Sequence, residues 1–518
     1  MDILVRISTL IDKGEFVEAK QLCAQLHAEL DKTDEWADAH YKILFNLAGF
    51  YIDIGHLSNA RDLSVLGCEI MEENAERFVK VVAPESYFYN LANAKTNLVS
   101  VENTLDLSFE NIEELVEVKN YLWRAEKETR KAGGRRPEIL VNLANTLKRQ
   151  CRISEALRYY DIVNSENRDI PQSHVNRSDA LKLLNVVSET YSFKMLDEIA
   201  KGYQAASESK VIPASWSDHY HKIAAQHRLR LSQEGLAVGP DEREATQEEY
   251  DALSNYRKFE LNHHLTLSEH GLYCSCVGSA RDNLTIPLGT KSIAGDFVPK
   301  MELVLNRIKS EFSLARRNYF EYLFPSSEEG DLLHEDCFTE LYNGEVLGIS
   351  VEKAKVAFRL CFGILDKIGV AVCNLYGIKT KGAIYFHNFW RLDEDGRRDQ
   401  FEAIRNPGLL ALYSIATDLN VHKNGEWSCF KEWRNALEHG ILIITDEGRE
   451  DPYKTLSSAD GVIEVRSDEF RYFIGDLLQL TRSSIFSFVF AVRHLGLQNA
   501  EGPGILCELS PKNYFDDL

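Results

Sequence analysis

A short phrase recurs in the first half of the chain and restricts what that half can fold into. Asn46-Leu47-Ala48-Gly49, Asn90-Leu91-Ala92-Asn93 and Asn142-Leu143-Ala144-Asn145 follow one another at intervals of 44 and 52 residues. Intervals of that size are filled by pairs of amphipathic helices. Such pairs cannot bury their apolar faces alone, so they must stack on their neighbours. Leu44, Leu47, Ala48 and Tyr51 make one apolar stripe, and Leu140, Leu143, Ala144 and Leu147 make another. Gly55 is expected to permit the turn after the first stripe, with Ala60 where the second helix comes close. Cys151 and Ala156 hold those places in the third copy.

The pattern resembles tetratricopeptide repeats, with a spacing longer than their period of about 34 residues and Cys151 in place of a glycine. The resemblance implies a divergent helical-repeat solenoid over residues 1–231. Residues 232–298 are expected to form a linker and an irregular junction. Gly235, Gly239 and Pro240 lie among acidic residues, and Gly271, Gly278, Pro287 and Gly289 interrupt helical patterns. Short strands are expected within residues 250–298.

From Pro299 onward the pattern is helical again. Leu305, Ile308, Phe312, Ala315 and Tyr319 predict one long amphipathic helix, and Val356, Leu360, Ile364 and Ile368 a second. A third opens at Pro407-Gly408, and a fourth stops at Gly440, read as a C-cap. Ile441–Thr445 and Val462–Val465 are expected to pair as a β-hairpin with a long polar tip. Ser467-Asp468 starts a last long helix. The fold class is therefore mainly α: a helical-repeat half, then a helical bundle over residues 299–497 with a small β-hairpin insertion. Residues 498–518 form an acidic tail.

Acidic side chains outnumber basic ones 80 to 59, for a net charge of −21. That argues against a sequence-blind nucleic-acid binder with a broad basic field, but leaves room for a local phosphate site. Ten cysteines are scattered, with only Cys274 and Cys276 close together, which suits a reducing compartment. The start, Met1-Asp2-Ile3-Leu4, lacks a signal-peptide layout, and Asp366 and Lys367 interrupt the longest apolar run. A cytoplasmic protein without membrane contact is expected.

The residues best suited to chemistry are Arg434-Asn435-Ala436-Leu437-Glu438-His439. On a helix Asn435 shares a face with His439, and Arg434 lies roughly 140° from His439 around the axis. A guanidinium offers a planar fork of donors to a phosphodiester. An imidazole can take a proton from a ribose 2′-hydroxyl or return one to a leaving 5′-oxygen. Asn435 can orient the imidazole or touch a phosphate oxygen. The plain alternatives are an ion pair from Arg434 to Glu438 and a histidine that favours the C-terminal helix dipole. Arg168…His174 and Arg257…His263 have similar spacing, but lie beside Pro171 and before a glycine-broken segment.

Placed in a helical bundle and followed by glycine, Arg434-Asn435-x-x-x-His439 resembles the signature of the HEPN superfamily of nucleotide-binding and ribonuclease domains. The resemblance covers roughly residues 300–495. Repeats followed by such a domain resemble a prokaryotic subfamily associated with phage defence or toxin-like roles. The resemblance implies a metal-independent endoribonuclease without cofactor, whose site is composite at a homodimer interface of the C-terminal domain. It implies RNA rather than DNA as substrate, an unidentified protein or ligand on the repeats, and a 2′,3′-cyclic phosphate product. The other reading is a non-catalytic scaffold whose inactive HEPN-like module dimerises or binds a nucleotide.

Arg316 and Arg317 are candidate supporting phosphate contacts, and Asp366 a candidate partner that holds Arg434. His263, His264, His270, Cys274 and Cys276 fall within fourteen residues. Their spacing follows no standard zinc pattern, so an ordinary packed junction without metal is expected. Tyr385, Phe386, Phe389 and Trp390 read as core rather than a base-stacking platform.

Overall fold

The computed structural model describes residues 2–99, 108–188, 190, 192–233, 246–274, 276–286, 297–325, 345–394, 396–445 and 462–498. The protein is mainly helical with a small two-stranded sheet. It divides into two compact units, Met1–Gln150 with Lys423–Glu426, and Cys151–His422 with Trp427–Leu518. No helix among the described residues is long and apolar enough to cross a membrane. Residues 234–245 of the expected linker, residues 446–461 between the strands, and residues 499–518 of the tail lie outside the described residues.

The first unit holds α1 (Asp2–Asp12), α2 (Phe16–Leu30), α3 (Asp38–Leu57), α4 (Arg61–Glu73), α5 (Ala75–Val81), α6 (Pro84–Leu98), α7 (Phe109–Lys131) and α8 (Pro137–Arg149). The three Asn-Leu-Ala phrases fall in α3, α6 and α8, with every leucine and alanine buried. Small residues let the helices approach. A Cβ on Gly67 of α4 would stand 2.8 Å from the Ala48 carbonyl of α3. Gly55 plays the same part, since a Cβ there would meet the Ser64 nitrogen at 2.6 Å. The turn between α3 and α4 is made instead by Asn59, at φ 55°. Asparagine tolerates this left-handed region better than most residues, which frees the glycine for the close approach. Two phrase asparagines, Asn142 and Asn93, meet across helices. The Asn142 amide donates to Asn93 Oδ1 at 2.9 Å and to the Tyr89 hydroxyl at 3.2 Å, both on α6.

The second unit begins with α9 (Ile153–Glu166), α10 (Pro171–Ser188), α11 (Phe193–Ser207) and α12 (Ala214–Gln233). Short helices α13 (Gln247–Asp251) and α14 (Asn255–Asn262) follow. The bundle then adds α15 (Phe297–Leu323), α16 (Ile349–Leu375), α17 (Arg397–Glu402), α18 (Pro407–Asp418), α19 (Cys429–His439) and α20 (Ser467–Gln498). Helix α20 is the centre. Every residue from Leu477 to Arg493 is buried, polar ones included. A helix wet on no side must meet neighbours all round, and α20 does so with α9, α10, α15, α16 and α18. At α18 the approach is closest: a Cβ on Gly408 would lie 2.5 Å from the Ser487 carbonyl oxygen and 2.6 Å from the Ala491 nitrogen.

The junction holds 3₁₀ turns at His270–Leu272 and Val277–Ala280 besides α14, and no strand among the described residues. Buried arginines bind its backbone. Arg482 of α20 donates to the Thr266 carbonyl at 2.8 Å. Arg493 donates to the Ile286 carbonyl at 3.1 Å and pairs with Glu269 at 2.6 Å. Irregular backbone cannot satisfy its own carbonyls, and these guanidinium donors do so where water is excluded. Short strands were expected here, but the arginines replace the ladder that strands would have supplied.

The two expected strands form, as β1 (Ile441–Thr445) and β2 (Val462–Arg466), but they pair in parallel, Ile441 against Val462 through Thr445 against Arg466. They are therefore not a hairpin. Parallel neighbours need a crossover connection rather than a tight turn, and the 16 residues between them leave length for one. Glu345 bridges Thr445 antiparallel on the other edge of β1.

Candidate active site

The motif lies on α19, which forms because Phe430, Trp433, Ala436 and Leu437 recur at helical spacing and are all buried. Phe430 meets Phe358 of α16 edge-on at 5.5 Å between centroids, and Trp433 meets Phe473 of α20 at 5.2 Å. This aromatic contact fixes the rotation of α19, each pair adding about 0.5–1.5 kcal/mol beyond its burial. The opposite face is thereby turned outward, and Asn435 and His439 are both exposed on it. The helix ends at Gly440, whose N–H donates to the Ala436 carbonyl at 3.0 Å. Gly440 is extended (φ −131°) rather than left-handed. Arg359 of α16 donates to the Leu437 carbonyl, satisfying one of the C-terminal acceptors.

Arg434 sits between these faces. Its Nη2 lies 3.0 Å from Asp366 Oδ2 of α16, with the two side chains 26% and 19% exposed. Asp366 Oδ1 accepts the Phe386 backbone N–H at 2.9 Å. The guanidinium also lies over the rings of Phe362, at 5.6 Å, and Tyr385, at 5.5 Å. Burial raises the Asp366 carboxyl above its ordinary range, against the opposing pull of the Phe386 N–H and Arg434. Glu438 does not take Arg434; it stands 3.5 Å from Arg359 instead.

Two further residues belong to this cluster. Tyr385 is 40% exposed, whereas Phe386, Phe389 and Trp390 are core as expected. Its ring lies near that of His387, centroids 6.2 Å apart. Burial holds His387 down at about 4, helped by the cations Lys431 and Arg434. The imidazole is therefore neutral at neutral pH. Neither residue carries a spacing signal. They arrive because the Phe386 N–H is anchored on Asp366, which draws the whole loop toward α19.

Arg316 and Arg317 are placed elsewhere. Arg316 is 1% exposed, and its guanidinium is engaged by Asp282 (2.6 Å), Glu260 (2.5 Å), the Leu265 carbonyl and the Tyr256 hydroxyl. It staples the junction to α15. Arg317 pairs with Glu321 at 2.6 Å and covers the Tyr256 ring at 4.8 Å. Neither shares a partner with Arg434. The similar Arg–His spacings are local structure: the His174 ring bonds the Arg168 carbonyl oxygen at 2.9 Å, and Arg257 pairs with Glu260 at 2.7 Å.

Residues 294–494 match the family of LA2681-like HEPN domains. The match spans α15 to α20 and includes the whole Arg434–His439 cluster. No curated protein and no solved structure matches the chain.

Proposed function

Starting from an LA2681-like HEPN domain at residues 294–494, we propose that the protein is an endoribonuclease that cleaves RNA by 2′-hydroxyl attack at a composite site in a HEPN dimer. The observation that carries this reading is the division of labour on α19. One face is locked into the core by Phe430 and Trp433, Arg434 is steadied by Asp366, and Asn435 and His439 face outward together.

The chemistry needs two proton movements in one step. A neutral imidazole removes the proton from the ribose 2′-oxygen, which attacks phosphorus. The bond from phosphorus to the 5′-oxygen breaks, and an imidazolium returns a proton to that oxygen. The products are a 2′,3′-cyclic phosphate and a 5′-hydroxyl, with no water consumed. One His439 cannot be base and acid at once, so two copies related by a twofold axis supply both, together with two Arg434 to hold the dianionic phosphorane. Arginine provides that charge, so the step calls for no metal. An anion bound between Arg434 and Lys431 would offset part of the cationic field that keeps His387 neutral. The acidity of the whole chain suits a regulated enzyme better than indiscriminate RNA capture. A defence or toxin role in the cytoplasm, with the repeats receiving a protein or ligand signal, completes the reading.

A second reading is favoured by one observation: Arg434 already has a carboxylate partner, which partly cancels its charge. In that reading the domain is a non-catalytic dimerisation or nucleotide-binding module of an interaction scaffold. Wild type and His439→Ala, assayed on single- and double-stranded RNA, separate the two. The enzyme reading expects cyclic-phosphate ends from wild type, a bell-shaped pH–rate profile, and a loss of at least about 100-fold in the variant. Equal cleavage by the variant would reject it.

A further inference from the structure

The junction brings together three donors that the linear spacing does not advertise. His270, Cys274 and Cys276 place one ring nitrogen and two sulfurs within 4.8 Å of one another. His270 Nε2 is 2.9 Å from Cys276 Sγ. The Cys276 N–H donates to Cys274 Sγ at 3.4 Å. The backbone builds this arrangement. The Cys274 N–H donates to the His270 carbonyl at 3.0 Å, which sets Cys274 one turn beyond the histidine. Cys276 caps the next 3₁₀ turn, its carbonyl accepting from Ser279 Oγ at 2.6 Å. Gly271 locks the near side, since a Cβ there would meet Thr266 Oγ1 at 2.6 Å. The Tyr273 ring stands edge-on to the imidazole at 5.2 Å. His263 and His264, the other histidines of this stretch, are not part of the group.

Cys276 is 2% exposed, while His270 and Cys274 are half-buried. Both sulfurs line a cleft of about 620 Å³ that also has Arg177, Lys194, His264 and Tyr273 in its wall. We propose that His270, Cys274 and Cys276 bind one zinc ion, whose fourth coordination position opens into this cleft. Zinc bonds of ~2.3 Å to sulfur and ~2.0–2.1 Å to nitrogen separate tetrahedral donors by about 3.5–3.8 Å. His270 Nε2 and Cys276 Sγ stand closer than that, at 2.9 Å, and all three donors lie within 4.8 Å, so side-chain rotations reach the tetrahedral separation. Two thiolates and an imidazole select a borderline-soft cation over magnesium or calcium. Binding releases the two thiol protons to solvent, and Zn²⁺ with two thiolates carries no net charge. A neutral unit is what a nearly buried position tolerates. Three protein ligands with an open place form the arrangement that admits water or an exogenous ligand. The site uses none of Arg434, Asn435 and His439 and lies outside the HEPN-matched residues.

The test is elemental analysis of the full-length protein purified under reducing conditions without chelator. About one zinc per chain is expected, falling at least about tenfold in Cys274→Ser and in Cys276→Ser. Cobalt substitution of the wild type should give thiolate-to-cobalt charge transfer and intense tetrahedral visible bands. Cys274 is half-buried at the cleft wall, so its serine variant should keep the helical circular dichroism of the wild type. Zinc held equally by the Cys274→Ser/Cys276→Ser double variant would overturn the proposal. So would reduced protein that takes up no zinc against a chromophoric chelator, or that binds stoichiometric copper(I) instead.

Discussion

At the scale of single residues, the Arg434–Asp366 pair sets how much charge the site can offer. Its members are partly exposed, so their pairing contributes only about 1 kcal/mol to stability. Its larger effect is on direction, since Asp366 and the two aromatic rings leave the guanidinium few orientations. Asp366→Asn keeps the acceptor for the Phe386 N–H and removes the charge. It should change the unfolding free energy by no more than about 1 kcal/mol while slowing RNA cleavage roughly tenfold; urea titration and initial rates measure the two. His387 gives a pH signature. Its native pKa of about 4 lies below the unfolded value, so its contribution to stability is complete above pH ~6.5 and is lost as pH falls toward 4. Wild type should therefore lose on the order of 1–3 kcal/mol more than His387→Gln between pH 6.5 and 4.5. Equal losses in the two proteins, from urea titrations at both pH values, would contradict the assignment. The helix faces of Arg434, Asn435 and His439 were legible at this scale, because helix periodicity alone tells which side each occupies. Arg316 was not: periodicity cannot say that Glu260, Asp282 and a junction carbonyl wait for it.

At the scale of elements, α16 and α20 hold the Arg434–His439 helix α19 in place, and α18 packs on α20. Gly408 is where α18 comes nearest α20, and a methyl group there would overlap backbone rather than a movable side chain. Gly408→Ala should destabilise the bundle by about 1–3 kcal/mol, read as a lower thermal midpoint with native-like helix content. An unchanged midpoint would mean that the helices are not so closely applied. The helices of the bundle could be read from the sequence, because Leu305 to Tyr319 and Val356 to Ile368 repeat at three and four residues. The direction of strand pairing could not. Ile441–Thr445 and Val462–Arg466 have the same alternation in either direction, and what decides is the path between them. Gly55 misled for a related reason, because a glycine needed for close helix approach looks the same in sequence as one needed for a turn. That His270, Cys274 and Cys276 gather their donor atoms apart from His263 and His264 could not be read either, because a backbone turn closed by the Cys274 N–H on the His270 carbonyl, not a known spacing, brings them together.

At the scale of the molecule, the proposed function requires a net charge of −21 to coexist with a local phosphate-binding patch. Long-range attraction of RNA is then weak, and specificity falls to the few cations around Arg434. One chain also offers a single outward His439 on α19, so the proposed chemistry belongs to a pair of chains. Mixing tests this most directly. Wild type is incubated with His439→Ala protein until subunits exchange, and cyclic-phosphate formation is followed at constant wild-type concentration. A composite site predicts that equal amounts of variant lower the rate to about half, and a ninefold excess to about a tenth, because wild type is diverted into inactive mixed dimers. A rate that does not change with added variant, in mixtures shown to contain mixed dimers, would contradict the composite site.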